Sequence, residues 1–385
     1  MGEVCTKAFR YYEKCNEVKI LHLGKYYDPV PGGIEQVVKE IVEPCNDDGI
    51  SCDVLCSNTD SIYEETRFKN YTVFRTATLA TFSSTSISID YITKFRKIVK
   101  EYDIIHLHHP NPMAFLALYF VRPSAKIIVH WHSDIIRQKK LLKLFEPLQK
   151  WVLNRADVII ATSQNYVDYS NALQQFKEKV KIVPIGIQKH KPIKQKMRND
   201  LYVDKKIIFA LGRLVEYKGF EVLVESARYL DDSFMVLIAG TGPKGDVLKE
   251  LITLYKLENK VKLLGRIDEE DKLMYYENCF AFCLPSITKA EAFGVVLLEA
   301  MAFGKPLVSS NIKESGMSWV NQHNKTGLLV DPGDVQQLAS AFKKLANDKE
   351  LYEEMSHNAF VRYEELFTRE KMIDSLRSIY LKLLD

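Results

Sequence analysis

Short apolar runs that end in glycine or a polar residue recur along the chain and alternate with stretches of helical periodicity. The first run is VKILHLG at 18–24, which is followed by a loop and a helical pattern from Ile34 onward. Runs that are apolar throughout suit strands buried on both faces, so the sequence predicts mostly parallel sheets covered by helices. The other predicted strands lie at 52–56, 71–76, 103–109, 126–132, 157–163, 180–186, 207–213, 234–240, 261–266, 281–286, 306–310 and 327–330.

The length of 385 residues and a polar segment near the middle indicate two domains. The polar segment, at 188–205, lacks periodicity and is predicted to be a linker. We expect Rossmann-like domains at 1–187 and 206–365, and a C-terminal helix at 366–385 that crosses back to the first domain. Ligands of such α/β sheets bind beyond the carboxyl ends of the strands, so the two parallel sheets are predicted to face a central ligand-binding cleft.

The composition restricts the cellular setting. A net charge of +3 is too small for a nucleic-acid-binding protein, although the N-terminal half, which carries the basic excess, suits contact with an anionic membrane. Seven cysteines without a C-x-x-C pair favour a reduced, cytosolic compartment. The longest uncharged apolar stretch, 113–121, is too short to span a bilayer. We therefore expect a cytoplasmic protein associated peripherally with the inner face of the cytoplasmic membrane.

The segment SITKAEAFGVVLLEAMAFGKP contains two acids around a predicted helix start. Glu291 lies in the loop before the helix, and Glu299 lies one to two turns inside it. The free amides and the macrodipole of a helix start favour an anion such as a diphosphate, and Gly294 leaves room for its approach. Glu291 would then accept sugar hydroxyls and Glu299 ribose hydroxyls. The alternative is that both acids are solvated or interact only with the helix dipole.

The run LGRLVEYKGFEVLVESA carries two cations beside two glycines, at the junction of a predicted strand and helix. The guanidinium of Arg213 and the ammonium of Lys218 suit a pyrophosphate whose charge rises as a sugar leaves. For the two cations the alternative is ordinary solvation at the surface.

In the first domain, Gly32 and Gly33 permit a tight turn whose amides can approach a phosphate. For these two glycines the alternative is a plain turn.

These segments together resemble the retaining glycosyltransferases of family 4, which have the GT-B fold. The pair Glu291 and Glu299, separated by seven residues, the run GRLVEYKG and the later NKTGLLVDPGD match the family pattern in order over almost the whole chain. The resemblance implies that Arg213 and Lys218 contact the donor diphosphate, Glu299 the ribose and Glu291 the donor sugar. With motif and resemblance combined, the catalytic set is Glu291, Arg213, Lys218 and His132, and the donor-binding set is Glu299, Gly33, Gly32, Phe293, Gly294, Val295 and Gly212.

Histidines crowd two neighbouring predicted strands. They are His106, His108, His109, His130 and His132. In family 4 a histidine at the place of His132 sits near the transferred sugar; a buried core histidine is the alternative. Alternate positions could place pairs of these rings on one face, but no Cys, Asp or Glu completes a familiar metal-binding pattern and no D-x-D sequence is present. We therefore expect no metal site and no cofactor.

A second glycine motif supports a different enzyme class. Gly240, Gly242 and Gly245 spell G-x-G-x-x-G after a predicted strand, and Asp268 follows about twenty residues later, as in a dinucleotide-binding fingerprint. An NAD(P)-dependent oxidoreductase is therefore an alternative, although the fingerprint normally opens such a fold and here lies at its second strand. A non-catalytic nucleotide-sugar-binding protein is the other alternative.

The predicted activity is transfer of a hexose from GDP-mannose or a UDP-hexose, with retention of configuration. The expected acceptor is a hydroxyl of a lipid-linked or polysaccharide-building glycan. The segment at 137–155 is basic and amphipathic, and it is predicted to contact anionic lipid, with packing against its own domain as the alternative.

Overall fold

The computed structural model describes residues 18–82, 85–135, 139–189 and 204–384, with the backbone alone for 139–144. Most of the predicted linker, 190–203, and two of the cysteines, Cys5 and Cys15, lie outside the described residues. The described residues form two compact units. The first unit comprises those up to Thr162, Val167–Ile185 and those from Arg369 onward, and the second comprises Ser163–Tyr166 and the described part of Gly186–Thr368.

The described residues contain sixteen strands and thirteen α-helices. The strands are β1 Lys19–Leu23, β2 Ser51–Ser57, β3 Glu64–Arg67, β4 Thr72–Thr76, β5 Ala80–Phe82, β6 Thr85–Ile87, β7 Ile104–His109, β8 Lys126–Trp131, β9 Val158–Ala161, β10 Val180–Ile182, β11 Lys206–Leu211, β12 Phe234–Ala239, β13 Val261–Gly265, β14 Ala281–Leu284, β15 Leu307–Ser310 and β16 Gly327–Val330. The helices are α1 Gly33–Asp47, α2 Ile89–Ile98, α3 Pro112–Val121, α4 Lys139–Arg155, α5 Gln164–Tyr169, α6 Phe220–Ser226, α7 Gly245–Leu254, α8 Glu269–Asn278, α9 Val295–Ala302, α10 Met317–Val320, α11 Val335–Asn347, α12 Lys349–Leu366 and α13 Arg369–Leu384.

The first unit is built on an eight-stranded sheet of order β10-β9-β8-β7-β1-β2-β4-β3. All neighbours are parallel except β3, which pairs antiparallel with β4 at the edge. The hairpin β5-β6 forms a separate two-stranded sheet. From β4 through β10 the order is that of a doubly wound Rossmann sheet, with the strand order reversing between β1 and β7.

The second unit has a six-stranded, fully parallel sheet of order β13-β12-β11-β14-β15-β16. This is the 3-2-1-4-5-6 order of a Rossmann fold, and its order reverses between β11 and β14. The strands are apolar over nearly their whole length because helices cover both faces. Phe234, Val236 and Ile238 of β12, for example, belong to one buried cluster with Leu338 and Phe342 of α11.

Helix α13 belongs to the first unit although it follows the second unit in the chain. It packs against α1, where Arg369 forms an ion pair with Glu40 at 3.4 Å and Arg377 forms one with Asp48 at 2.5 Å. The buried hydroxyl of Tyr380 lies 2.7 Å from Nδ1 of His106 in β7. Side chains of α13 therefore contact both a helix and a central strand of the first unit.

Helix α4 contains the basic amphipathic segment predicted to contact lipid. Arg137 and the side chains of residues 139–144 lie outside the described residues. Of the apolar face that is described, Phe145 contacts Phe115 and Trp151 contacts Tyr119, both in α3 of the same unit. This part of the face thus packs against its own domain, and lipid contact stays a prediction. No helix in the described ranges is both long and apolar enough to cross a membrane.

Two glycines of the G-x-G-x-x-G motif, Gly240 and Gly242, are explained by close approach of two backbone segments. A Cβ atom at Gly240, where φ is +129°, would lie 1.9 Å from the carbonyl oxygen of Gly212. A Cβ at Gly242 would lie 2.4 Å from the carbonyl oxygen of Leu214. Asp268, the acid of the same fingerprint, caps helix α8 by accepting a hydrogen bond from the amide of Asp271 at 2.8 Å. All three residues thus have roles in the fold that require no dinucleotide.

We therefore expect Gly240→Ala to lower the free energy of unfolding by about 2–4 kcal/mol, because the methyl group overlaps backbone that cannot move aside cheaply. Gly245→Ala is the matched control. Its Cβ would meet only a Leu214 methyl at 3.7 Å, an ordinary contact, at the first residue of α7. Urea denaturation of both variants measures the difference. Equal stabilities would contradict the proposed role of the close backbone approach.

Candidate active site

The loops after β11 and β14 meet where the strand order of the second sheet reverses. The amide of Ile287 donates to the carbonyl oxygen of Tyr217 at 2.8 Å and joins the two loops. Gly219, with φ of +64°, follows the short 3-10 helix Glu216–Lys218, and a Cβ there would lie 2.2 Å from the carbonyl oxygen of Pro285. Only glycine allows this approach, which brings Lys218 of one loop beside Glu291 of the other.

Lys218 and Glu291 form the centre of this group. The lysine Nζ lies 2.5 Å from the glutamate Oε2, and the two side chains are 10% and 11% exposed. The hydroxyl of Ser286 donates to the same carboxylate oxygen at 3.1 Å, and the hydroxyl of Ser315 donates to the Glu291 backbone carbonyl. The other carboxylate oxygen, Oε1, has no hydrogen-bond partner among the described residues. The carboxylate is thus held in place while one oxygen can accept a ligand hydroxyl.

Arg213 and Gly212 lie at the end of β11 in the same group. The Arg213 side chain is exposed, and its guanidinium forms no ion pair or hydrogen bond with any described residue. A Cβ at Gly212 would lie 3.4 Å from Cε and 3.5 Å from Nζ of Lys218, so the lysine crosses directly over this glycine. An exposed guanidinium and a buried ammonium therefore stand on the same short loop.

Helix α9 begins at Val295, with Gly294 at its N-cap in the left-handed conformation, φ +83°. A Cβ at Gly294 would point to the side chains of Leu284 and Leu297, each 3.1 Å away. The structure thus gives a reason for this glycine that the sequence did not: the residue starts the helix with positive φ. Phe293 is buried just before the helix start. Ligand approach at the helix start stays a prediction.

Glu299 is held by two side chains of α8 that sequence reasoning missed. Nζ of Lys272 lies 3.0 Å from Oε1, and the hydroxyl of Tyr276 donates to Oε2 at 2.7 Å. Burial opposes the charge of Lys272, but Glu299 and Glu269 outweigh it and raise the lysine pKa. Burial, reinforced by Glu299, raises the pKa of Tyr276. The four-residue spacing of Lys272 and Tyr276, which places them on one helix face, was the available sequence signal.

In the first unit, Gly32 and Gly33 form an exposed helix start. Gly33 is the first residue of the fifteen-residue helix α1, and Gly32 is its N-cap. A Cβ added to Gly33 would meet no atom within 4 Å, whereas one at Gly32 would overlap the flexible carboxylate of Glu35. The open space above Gly33 would let a phosphate reach amides that have no partner inside the helix.

His132 follows β8 and is almost fully buried, with 5% exposure. Its Nε2 lies 2.9 Å from Nδ1 of His108, and its Nδ1 has no partner among the described residues. Burial lowers the pKa of His132 to about 3, so the ring is neutral at physiological pH. In this structure His132 belongs to a group of first-unit histidines, and it offers a neutral imidazole rather than a cation.

Solved structures share this architecture over nearly the whole chain. A sucrose-phosphate synthase from Thermosynechococcus elongatus matches with a TM-score of 0.78 at 22% identity, covering 95% of this chain and 99% of its own. Anabaena Alr3699/HepE in complex with UDP and glucose matches with a TM-score of 0.75 at 20% identity, covering 94% and 99%. These neighbours are GT-B glycosyltransferases, so the fold predicted from the sequence is confirmed.

Comparison with known sequences identifies the family to which the chain belongs. A model described as Glycosyltransferase Family 4 matches residues 31–191, and one described as Glycosyl transferases group 1 matches 193–362. O-antigen chain mannosyltransferase C of Escherichia coli is 33% identical over 96% of this chain and 99% of its own length. D-rhamnosyltransferase WbpZ of Pseudomonas aeruginosa is 34% identical over 91% and 92%. The chain belongs to glycosyltransferase family 4, as its motifs predicted, and it is a glycosyltransferase.

Proposed function

We propose that the chain transfers a hexose from a nucleoside diphosphate sugar to a hydroxyl of a lipid-linked or polysaccharide-building glycan, on the cytoplasmic side of the membrane. The main support for this proposal is the ion pair of Lys218 with Glu291 where the second sheet reverses its strand order, with Arg213 on the same loop as Lys218. Two cations there suit the diphosphate, and the free oxygen of Glu291 suits a sugar hydroxyl.

GDP-mannose is the first candidate donor and a UDP-hexose the second. Two relatives that align over nearly their full length are named a mannosyltransferase and a D-rhamnosyltransferase. Rhamnose is the 6-deoxy form of mannose and has the same configuration at C2, which supports a donor sugar of the manno series. A structural neighbour in complex with UDP-glucose keeps the UDP-hexoses as the second candidate.

The proposed reaction retains the anomeric configuration. The bond between C1 of the sugar and the diphosphate oxygen breaks, a bond forms from C1 to the acceptor oxygen on the same face, and the acceptor proton passes to the departing phosphate. Lys218 and Arg213 stabilise the negative charge that grows on the diphosphate. These two cations would neutralise the diphosphate in place of a metal ion.

Glu299 provides a direct test of donor binding. Glu299→Ala is expected to weaken binding of the cognate nucleotide sugar by about ten- to a hundredfold, because a charged acceptor of ribose hydroxyls is worth about 1.5–3 kcal/mol. Glu269→Ala is the matched control, since Glu269 also pairs with Lys272, at 2.9 Å, but is 64% exposed. Thermal-shift titration with GDP-mannose, UDP-glucose and NAD measures the affinities.

Equal loss of affinity in the Glu269 and Glu299 variants would count against the ribose contact. Binding of NAD in preference to every nucleotide sugar would favour the oxidoreductase alternative. Donor binding without hydrolysis or transfer, in the presence of cell-envelope acceptors, would favour a non-catalytic binding protein.

A further inference from the structure

Five buried imidazoles form one cluster in the first unit, and we call it the histidine cluster: His22, His106, His108, His130 and His132. They come from three adjacent parallel strands, β1, β7 and β8, and from the residue that follows β8. His22 pairs in register with His106, and His108 with His130. Because side chains two residues apart on a strand share a face, both pairs and His132 project to the same face of the sheet. None of the five is more than 5% exposed.

The ring nitrogens of the cluster lie within ligand distance of one another. His22 Nδ1 is 3.0 Å from His108 Nε2, and His106 Nε2 is 3.2 Å from His130 Nδ1. In a tetrahedral zinc site with Zn–N bonds of about 2.0–2.1 Å, two ligand nitrogens are about 3.3 Å apart. One triad, His22, His106 and His108, offers three nitrogens that all lie within 4.8 Å of one another. Ring rotations that bring these nitrogens to about 3.3 Å from one another would let the three rings share one ion.

Three ring nitrogens of the histidine cluster have no hydrogen-bond partner among the described residues. They are Nε2 of His22, Nε2 of His130 and Nδ1 of His132, and all three are buried. Buried polar atoms are nearly always paired, so three unpaired nitrogens in one cluster need an explanation. A neutral imidazole carries one N–H and one lone pair, and a lone pair is what a metal ion requires.

The surroundings of the cluster also suit a metal ligand set. The Tyr380 hydroxyl of α13 lies 2.7 Å from Nδ1 of His106, which fixes that ring and leaves its Nε2 to face the other histidines. Metal-bound histidines typically have such a partner on the second nitrogen. Burial lowers the pKa of His22 to about 3, which keeps its ring in the neutral form that binds metals.

We propose that His22, His106 and His108, with His130 and His132 beside them, bind one first-row transition-metal ion of the zinc class. Imidazole-only ligand sets suit Zn²⁺, Co²⁺, Ni²⁺ and Cu²⁺ and disfavour Mg²⁺ and Ca²⁺. The site stabilises the first unit by joining β1 to β7 and, through Tyr380, to α13. The sequence predicted no metal site because no Cys, Asp or Glu completed a familiar metal-binding pattern. That prediction did not include His22, which supplies the third imidazole of the triad with His106 and His108.

The test uses the full chain without an affinity tag, loaded with Zn²⁺ and dialysed. We expect about one zinc ion per chain by mass spectrometry, and less than about a tenth of that in His22→Asn/His106→Asn. His109→Asn is the matched control, because His109 is equally buried but stacks on Trp131 and does not belong to the histidine cluster. It should retain the ion. X-ray absorption should show nitrogen ligands at about 2.0–2.1 Å.

A wild-type chain that takes up no zinc would overturn the proposal, as would equal zinc in the double variant or a ligand shell containing sulfur. Should the double variant fail to fold, Tyr380→Phe takes its place. Loss of the hydroxyl next to His106 should then weaken zinc binding by about tenfold, and an unchanged affinity would count against the site.

Discussion

Lys218→Ala is expected to lower kcat/KM by about 30- to 1,000-fold, which corresponds to about 2–4 kcal/mol of transition-state stabilisation. The ammonium stands on the same loop after β11 as Arg213, and its stem crosses over Gly212. Negative charge grows on the diphosphate only as the sugar leaves, so an ammonium placed there acts more strongly on the transition state than on the bound donor. The change should therefore appear mainly in kcat.

The same substitution should also destabilise the second unit. It leaves the carboxylate of Glu291, which is 11% exposed, without its cation, and breaking a buried ion pair in this way costs about 3–5 kcal/mol. Lys218→Met/Glu291→Gln removes both charges and should recover most of that stability without recovering activity. Kinetics must be compared at a temperature where circular dichroism shows each variant folded.

Lys244→Ala is the matched control for Lys218. Lys244 pairs with Glu221 at 3.1 Å in the same unit, but the two side chains are 33% and 21% exposed. Water screens such a pair, so we expect a change in stability within about 1 kcal/mol and little change in kcat/KM. Turnover near the wild-type rate in Lys218→Ala would contradict the assigned role of this residue.

The second large effect is a loss of stability in mild acid. Burial lowers the pKa of His22, His109 and His132 to about 3 in each case. Burial also lowers the pKa of His106, His108 and His130 well below the ordinary value. The unfolded chain binds protons at these histidines near pH 6.5 and the folded chain does not. Stability is therefore present above pH 6.5 and falls as the pH drops from there towards 3.

The expected size of the loss is large for one domain. At pH 5 a single histidine with these two pKa values costs about 2 kcal/mol of stability relative to pH 8, and several act together. Urea denaturation at both pH values, in the presence of EDTA, measures it. In His109→Gln one titrating ring is gone, so the loss between pH 8 and pH 5 should shrink by about 2 kcal/mol. Equal stability of the wild-type chain at both pH values would rule this account out.

The sequence predicted most of the strands because they are buried on both faces. The run at 234–240, for example, is observed as β12, and the one at 18–24 as β1. It missed β3, because the four residues EETR at a sheet edge are mostly exposed and charged and form no apolar run. The hairpin β5-β6 was missed because each of its strands has only three residues, and all three of those in β5 are exposed.

Contacts between residues far apart in the chain limited how much of the candidate site could be predicted from the sequence. Glu299 was recognised from its motif, but its partners Lys272 and Tyr276 lie on another helix and were not. His22 is 84 residues away from His106 along the chain, and only the parallel pairing of β1 with β7 brings them together. The motif identified the candidate functional residue Glu299. The residues that contact such side chains are brought close only by the order of strands and helices in the fold.

The return of α13 to the first unit has a consequence for biosynthesis. A ribosome releases the strands of the first sheet early, but it releases Arg369, Arg377 and Tyr380 only after the whole second unit has emerged. During that interval Glu40, Asp48 and His106 lack the partners that α13 supplies. The first unit thus cannot complete these contacts until α13 has emerged, whereas the second unit is contiguous apart from a four-residue piece and can fold before then.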